Sequence, residues 1–208
     1  LDLIERNPDK YSVDVLTANS NFELLAKQAI STNAKFVAIG DERFYNPLKK
    51  ALSGIKIEIG VGKNGILEAA SRPVDWVMSG IVGAAGLRPT IVAISHGGVV
   101  ALANKECLVC AGKFMLEEVV NSGAILLPVD SEHNAIFQVF DQEQKNLIEK
   151  IILTASGGPF IDTNFKKLAN VTPQEAVTHP NWEMGPKISV DSATMMNKGL
   201  ELIEAHYL

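Results

Sequence analysis

Residues Ser12 to Asp41, SVDVLTANSNFELLAKQAISTNAKFVAIGD, decide the fold. SVDVLTA is strand-like, NSNFELLAKQAISTN is a helix with a polar mouth at Asn19, Ser20 and Asn21, and KFVAIGD is a short apolar run that reads as a buried strand. The rhythm continues on both sides. Upstream, Leu1 to Arg6 reads as the tail of a helix stopped by Asn7 and Pro8. Downstream come ERFYNPLKKAL as helix, IKIEIG as strand, KNGILEAAS as helix, VDWVMSGIV as strand, GLRPTIVAISHG as helix and VVALAN as strand. Strand and helix alternate about every 10 to 15 residues from residue 12 to about 130, which is the pattern of an α/β protein with a Rossmann-like, doubly wound parallel sheet. Such sheets bind ligands at the carboxyl ends of their strands.

Beyond Gly123 the strand AILLPVD delivers Asp130, Ser131 and Glu132, and the polar QEQKNLIEK reads as a surface excursion. IILTASGGPF is expected to be a strand ending in a Ser-Gly-Gly-Pro turn, TPQEAV a short helix and HPNWEMGPK an irregular loop. KISV is expected to be a strand feeding a helix that opens at Asp191 and Ser192. The economical division is a first domain over residues 1–130 and a second, mixed α/β domain over residues 131–208.

Composition narrows the partners. With 47% hydrophobic and 21% charged residues the 208-residue chain is that of a globular protein, and a net charge of −5 with no basic run argues against nucleic acid or an anionic membrane surface. No apolar run reaches the ~18 residues of a membrane span, so the expected location is the cytosol. Cys107 and Cys110 lack the further ligands of a zinc site and read as two small side chains without a function.

Chemistry collects at four places. Asp130 and Glu132 leave a buried strand two residues apart, which is costly unless they hold a cation; their oxygens suit Mg²⁺ or Mn²⁺, given a third carboxylate. The spacing alone also fits a polar turn facing water, and His133 beside it reads as structural. Ser156 lies on a turn whose glycines let backbone N–H groups approach an anion, and Ser192, Asn197 and Lys198 add hydroxyl, amide and ammonium donors for a phosphate. HPNWEMG has the hinges and the Trp182 of a lid, or else is an ordinary loop with a core tryptophan. Asn104, Lys105 and Glu106 follow a buried strand and so fall at the ligand edge.

VDWVMSGIVGAAGLRPT, ALANKE, LLPVDSEHNAIFQ, SGGPF, HPNWEMGPKISVDSATMMNKGLE and IEA together resemble the 1-deoxy-D-xylulose 5-phosphate reductoisomerase family, in order along nearly the whole chain. The resemblance implies metal ligands at Asp130, Glu132 and Glu201. It implies phosphate contacts at Ser156, Ser192, Asn197 and Lys198, sugar contacts at Lys105, Ser131, Glu132 and His179, and Trp182 covering the substrate. Of these Lys105, Glu132 and His179 are the expected catalytic residues. NADPH contacts are implied at Asn19, Ser20, Asn21, Asn104, Glu106 and Gly185. The implied protein is a homodimer of the bacterial cytosol or a plastid, converting 1-deoxy-D-xylulose 5-phosphate to 2-C-methyl-D-erythritol 4-phosphate with NADPH and Mg²⁺ or Mn²⁺ in non-mevalonate isoprenoid synthesis.

The chain departs from the family pattern at Ala18 to Asn21, where Ala-Gly-x-Asn is usual, and at Cys107, where Ser is general. The family's first strand and Gly-rich turn are expected upstream of Leu1 and its C-terminal helical domain beyond Leu208. A polypeptide beginning at Leu1 is therefore expected to bind NADPH poorly. Two other readings stand beside this one: a metal-dependent phosphosugar lyase or isomerase with no redox step, and a non-catalytic nucleotide- or sugar-phosphate-binding regulator.

Overall fold

A computed structural model describes residues 1–179 and 182–208, so Pro180 and Asn181 of the expected lid lie outside the described residues. The chain runs α1 (Asp2–Glu5), β1 (Val15–Ala18), α2 (Phe22–Thr32), β2 (Phe36–Ile39), α3 (Tyr45–Ala51), β3 (Glu58–Val61), α4 (Gly62–Ser71), β4 (Trp76–Ser79) and α5 (Leu87–Ile94). It continues with β5 (Val99–Leu102), α6 (Lys105–Ser122), β6 (Ile125–Pro128), α7 (Ser131–Val139), α8 (Phe165–Leu168), α9 (Pro173–Ala176), α10 (Pro186–Ala193) and α11 (Met196–Tyr207). The strands form two three-stranded sheets, ordered β1-β2-β3 and β4-β5-β6. Two compact units divide the chain: residues 1–77, 85–100 and 118–125, and residues 78–84, 101–117 and 126–208.

In the first unit β2 is parallel to both β1 and β3, with Phe36 opposite Val15 and Glu58. Every residue of β2 is buried, as a strand covered on both faces requires. Its side chains alternate: Val37 and Ile39 join Leu25, Ala29, Leu48 and Leu52, whereas Phe36 and Ala38 join Ala69. Helix α2 starts where Asn21 Oδ1 accepts the Leu24 N–H at 3.1 Å and stops at the left-handed Asn33. On the opposite face α4 lies close against β3 because Gly60 and Gly65 meet there. A Cβ on Gly65 would come within 2.6 Å of the Gly60 carbonyl carbon.

In the second unit Asn104 ties the end of β5 to its helix. Its Oδ1 accepts the Cys107 N–H at 3.2 Å, and its Nδ2 donates to the carbonyl of Ile81 and, at 2.9 Å, to that of Gly83. That cap fixes Lys105 in the first turn of α6. The helix kinks at Ala111, and at Gly112 it lets the Tyr207 ring of α11 approach to where a Cβ would stand 2.4 Å from ring carbons.

Two expected strands are not strands. Residues 148–158 have no regular structure, and Ile151 and Ile152 are exposed, so their apolar character is not spent on a sheet face. KISV belongs to α10: Pro186 supplies a preset φ at the first helical position, and Ser189 Oγ donates back to the Gly185 carbonyl at 3.1 Å. Ile188 and Val190 mimic strand alternation but sit half-exposed on this helix. Asp191 and Ser192 therefore end one helix instead of capping the next. Met195, at φ 60°, turns the chain into α11.

Candidate active site

Asp130 stands at the N-cap of α7 but makes no cap bond, so its carboxylate is aimed elsewhere. Glu132 lies in the first turn of α7 and Glu201 in α11, where Glu201 is fully buried. One oxygen from each of Asp130, Glu132 and Glu201 lies within 4.8 Å of the other two. The first two reach this geometry from a helix N-terminus. That terminus favours their charge.

Two ammonium groups hold the trio together. Lys105 Nζ lies 2.9 Å from Asp130 Oδ2 and 3.0 Å from Glu201 Oε1, and donates to Asn197 Oδ1 at 2.8 Å. Lys198 Nζ pairs with Glu132 Oε1 at 3.1 Å and with Glu201 Oε2. Asn197 Nδ2 donates to Glu201 Oε1 at 2.5 Å. Burial opposes the charge on Lys105, but Asp130 and Glu201 outweigh it and raise its pKa. Burial likewise opposes ionisation of Asp130 and Glu132. His133 and Lys105 nevertheless hold Asp130 below the usual carboxylate range, and Ser131 and Lys198 do the same for Glu132. Three carboxylates against two ammoniums leave a negative, all-oxygen donor set. Its chemistry fits a hard divalent cation such as Mg²⁺ or Mn²⁺.

The expected anion cradle lies in the same unit. Gly157 and Gly158 have φ of 84° and 68°, and a Cβ on Gly158 would come within 2.6 Å of the Ser192 carbonyl oxygen. Only glycine lets the Ser156 turn approach Ser192 this closely. Ser156 Oγ accepts the Gly158 N–H at 3.2 Å and sits 3.1 Å from His179 Nε2. Because His179 Nδ1 accepts the Trp182 N–H at 3.2 Å, Nε2 is the nitrogen that donates to Ser156. The serine hydrogen can then point at a ligand. Trp182 stacks on His179 with centroids 4.9 Å apart and is 58% exposed, which excludes a core tryptophan.

A cleft of about 600 Å³ is lined by Lys105, Asp130, Ser131, Glu132, Ser156, His179, Trp182, Ser192, Asn197, Lys198 and Glu201. All substrate and metal candidates from the sequence thus share one cavity. The cofactor candidates divide. Asn19, Ser20 and Asn21 are exposed in the first unit, with Asn21 committed to capping α2. In the second unit Asn104 spends its side chain on the β5–α6 cap, and Glu106 pairs with Lys187 of α10, whose other partner is Asp191 at 2.7 Å. Gly185 is the N-cap of α10.

Sequence reading passed over Glu204, one turn beyond Glu201 and fully buried. Its Oε2 lies 3.2 Å from Nδ1 of His133, which is itself 3.3 Å from Asp130 Oδ2. Burial pushes the Glu204 carboxyl up to about 7. Burial also opposes the charge on His133, yet Asp130 and Glu204 raise its pKa.

Parallel strands flanked by helices, with a carboxylate trio beside a Gly-rich serine turn, define an α/β protein whose donor sets fit a divalent cation and an anionic ligand side by side. Comparison with known proteins makes this specific. Residues 1–112 match the family profile of 1-deoxy-D-xylulose 5-phosphate reductoisomerase, and residues 126–208 match that of its C-terminal domain. The chain belongs to the 1-deoxy-D-xylulose 5-phosphate reductoisomerase family.

Among its relatives, the reductoisomerase of Zymomonas mobilis subsp. mobilis is 56% identical over all of this chain and 54% of its own length. That of Rhodospirillum centenum is 54% identical over all of this chain and 52% of its own length. This chain spans about half the length of the curated relatives it matches. The Zymomonas mobilis enzyme solved with NADPH superposes with a TM-score of 0.90 at 54% identity, covering 99% of this chain and 53% of that one. A reductoisomerase solved with NADPH, fosmidomycin and magnesium superposes with a TM-score of 0.91 at 42% identity, again covering 99% and 53%.

Proposed function

We propose that this chain carries the cofactor-binding and much of the substrate-binding machinery of an NADPH- and divalent-metal-dependent enzyme. Its reaction is the rearrangement and reduction of 1-deoxy-D-xylulose 5-phosphate to 2-C-methyl-D-erythritol 4-phosphate, a step of non-mevalonate isoprenoid synthesis. The observation that carries this is the convergence of Asp130, Glu132 and Glu201 with Lys105 and Lys198 in a cleft that also contains Ser156, His179 and Ser192. The solved relative that binds NADPH, fosmidomycin and magnesium supports it. Residues 1–130 are the NADPH-binding domain, with cofactor contacts at Asn19, Ser20, Asn21, Asn104 and Glu106, and residues 131–208 the catalytic domain with its lid, which adds a cofactor contact at Gly185. The whole protein works as a homodimer in the bacterial cytosol, a location supported by its bacterial relatives.

Asp130, Glu132 and Glu201 would hold the cation. Bound metal supplies Lewis-acid polarisation of the ketose carbonyl, and NADPH supplies the hydride. Ser156 and Ser192 donate hydroxyl hydrogens to the phosphate, aided by Asn197 and Lys198 when substrate draws these away from the carboxylates. Lys105, kept charged by its carboxylate neighbours, offers a proton to a substrate oxygen, with Ser131 beside it. His179 orients Ser156 and faces the sugar, and Trp182 closes over it to exclude water.

The test uses the full-length protein: substrate-dependent loss of NADPH absorbance that requires Mg²⁺ or Mn²⁺ and ends in a reduced polyol phosphate. Turnover of the ketose phosphate without nicotinamide would favour the lyase or isomerase reading. The exposure of Trp182 gives a second expectation, a change in its fluorescence on saturation with a phosphonate inhibitor as the indole passes from water into a packed setting. A Trp182→Phe variant identifies the signal. An unchanged spectrum at saturation would remove the lid role.

A further inference from the structure

Glu204 is the most expensive side chain in the molecule to explain. It is fully buried in α11, neither carboxylate oxygen meets a hydrogen-bond donor in good geometry, and the proposed mechanism does not use it. A buried carboxylate without a partner costs several kcal/mol and persists only where something offsets it. What it faces is His133, 3% exposed, whose Nδ1 lies 3.2 Å from Glu204 Oε2 and 3.3 Å from Asp130 Oδ2. The other ring nitrogen, Nε2, lies 3.0 Å from the backbone oxygen of Glu201. A carbonyl only accepts, so Nε2 carries a hydrogen. Nδ1 then faces two carboxylates, and a bare lone pair there would be repelled by both. A hydrogen must lie on that side too.

We propose that Glu204 is a positioning residue for the cation site: packed 3.2 Å from His133 Nδ1, it fixes the ring between Asp130 Oδ2 and the Glu201 backbone oxygen, so two of the three metal ligands are held by one imidazole. The proposal rests on the metal reading above. It explains why Asp130 occupies an N-cap position without capping: its carboxylate is held instead by His133 and Lys105. It also explains the pairing of Glu201 and Glu204 one turn apart on α11, the first giving a ligand and the second orienting the imidazole that ties the start of α7 to α11. The same atoms of Asp130, His133 and Glu204 lie within 4.8 Å of one another, so a second cation is the competing use of this trio.

The experiment is Mn²⁺ binding to the full-length protein without substrate, followed by the electron paramagnetic resonance of free Mn²⁺, for the wild type and for Glu204→Gln, Glu204→Asp and Glu201→Gln. One Mn²⁺ per chain is expected, with Kd raised about 10- to 100-fold by Glu204→Gln and brought back toward wild type by Glu204→Asp, which keeps the carboxyl group. A purely structural role would lower Tm and leave Kd unchanged. Should Glu204→Gln not fold, His133→Asn takes its place, because the contacts imply the same loss. Wild-type affinity in a folded Glu204→Gln protein, or two Mn²⁺ per wild-type chain, overturns the proposal. If Glu201→Gln also left Mn²⁺ binding intact, the metal assignment itself would fall, and this inference with it.

Discussion

Glu201→Gln in the full-length enzyme is expected to lower kcat by roughly a thousandfold while leaving the protein folded. The first half of that statement follows from charge. Glu201 is one of three carboxylates in the proposed cation set, and a metal polarising a carbonyl contributes several kcal/mol, with each 1.36 kcal/mol worth tenfold in rate. The second half follows from how the lysines are shared. Losing one carboxylate leaves Lys105 with Asp130 at 2.9 Å and Lys198 with Glu132 at 3.1 Å, so no buried charge loses its last partner. Glutamine matches the shape, and its amide oxygen still accepts from Asn197. Steady-state rates over a wide Mg²⁺ range, with circular dichroism of the same sample, provide the check. Normal turnover at ordinary Mg²⁺ would remove Glu201 from the metal set.

How much of this could be read in advance depends on the distance between partners along the chain. The α/β alternation was legible because each signal is local: the polar mouth at Asn19 to Asn21 before α2, and the unbroken apolar run of β2. KISV was misread for the same locality. Ile188 and Val190 alternate like a strand, and the decisive information lay in Pro186 and in the Ser189–Gly185 bond. The loop over residues 148–158 failed differently, since an apolar run becomes a strand only if a sheet edge is there to receive it.

At the site, Asp130 and Glu132 were visible as two acids at a strand end, but the third carboxylate was not. It lies far along the chain, and only family resemblance suggested Glu201. The pairing of Lys105 and Lys198 with these carboxylates was invisible, because residue types alone do not say whether a lysine faces a phosphate or a carboxylate. Glu204 was missed outright, although its spacing from Glu201 puts both on one helical face. Nothing in the sequence says that this face is buried.

Replacing Lys105 by methionine should expose how the protein manages these carboxylates without metal. Lys105 is 5% exposed and its three hydrogens are spent on Asp130, Glu201 and Asn197. Methionine keeps much of the volume and removes the charge, so Asp130 and Glu201 lose their shared cation. Removing one partner from a buried ion pair costs about 3–5 kcal/mol, on the order of 10 °C in Tm for a domain of this size. Divalent metal should reverse part of this. A cation entering the trio no longer competes with a lysine, so it binds the variant more tightly than the wild type, and saturation at a hundred times Kd contributes about 2.7 kcal/mol. The Tm gap between Lys105→Met and wild type is therefore expected to be large in chelator and to shrink as Mg²⁺ is raised, while activity is expected to stay low because the proposed proton donor is gone. A gap of the same size with and without Mg²⁺ would mean that lysine and cation do not compete for the same oxygens, and the carboxylate trio would lose its standing as the metal site.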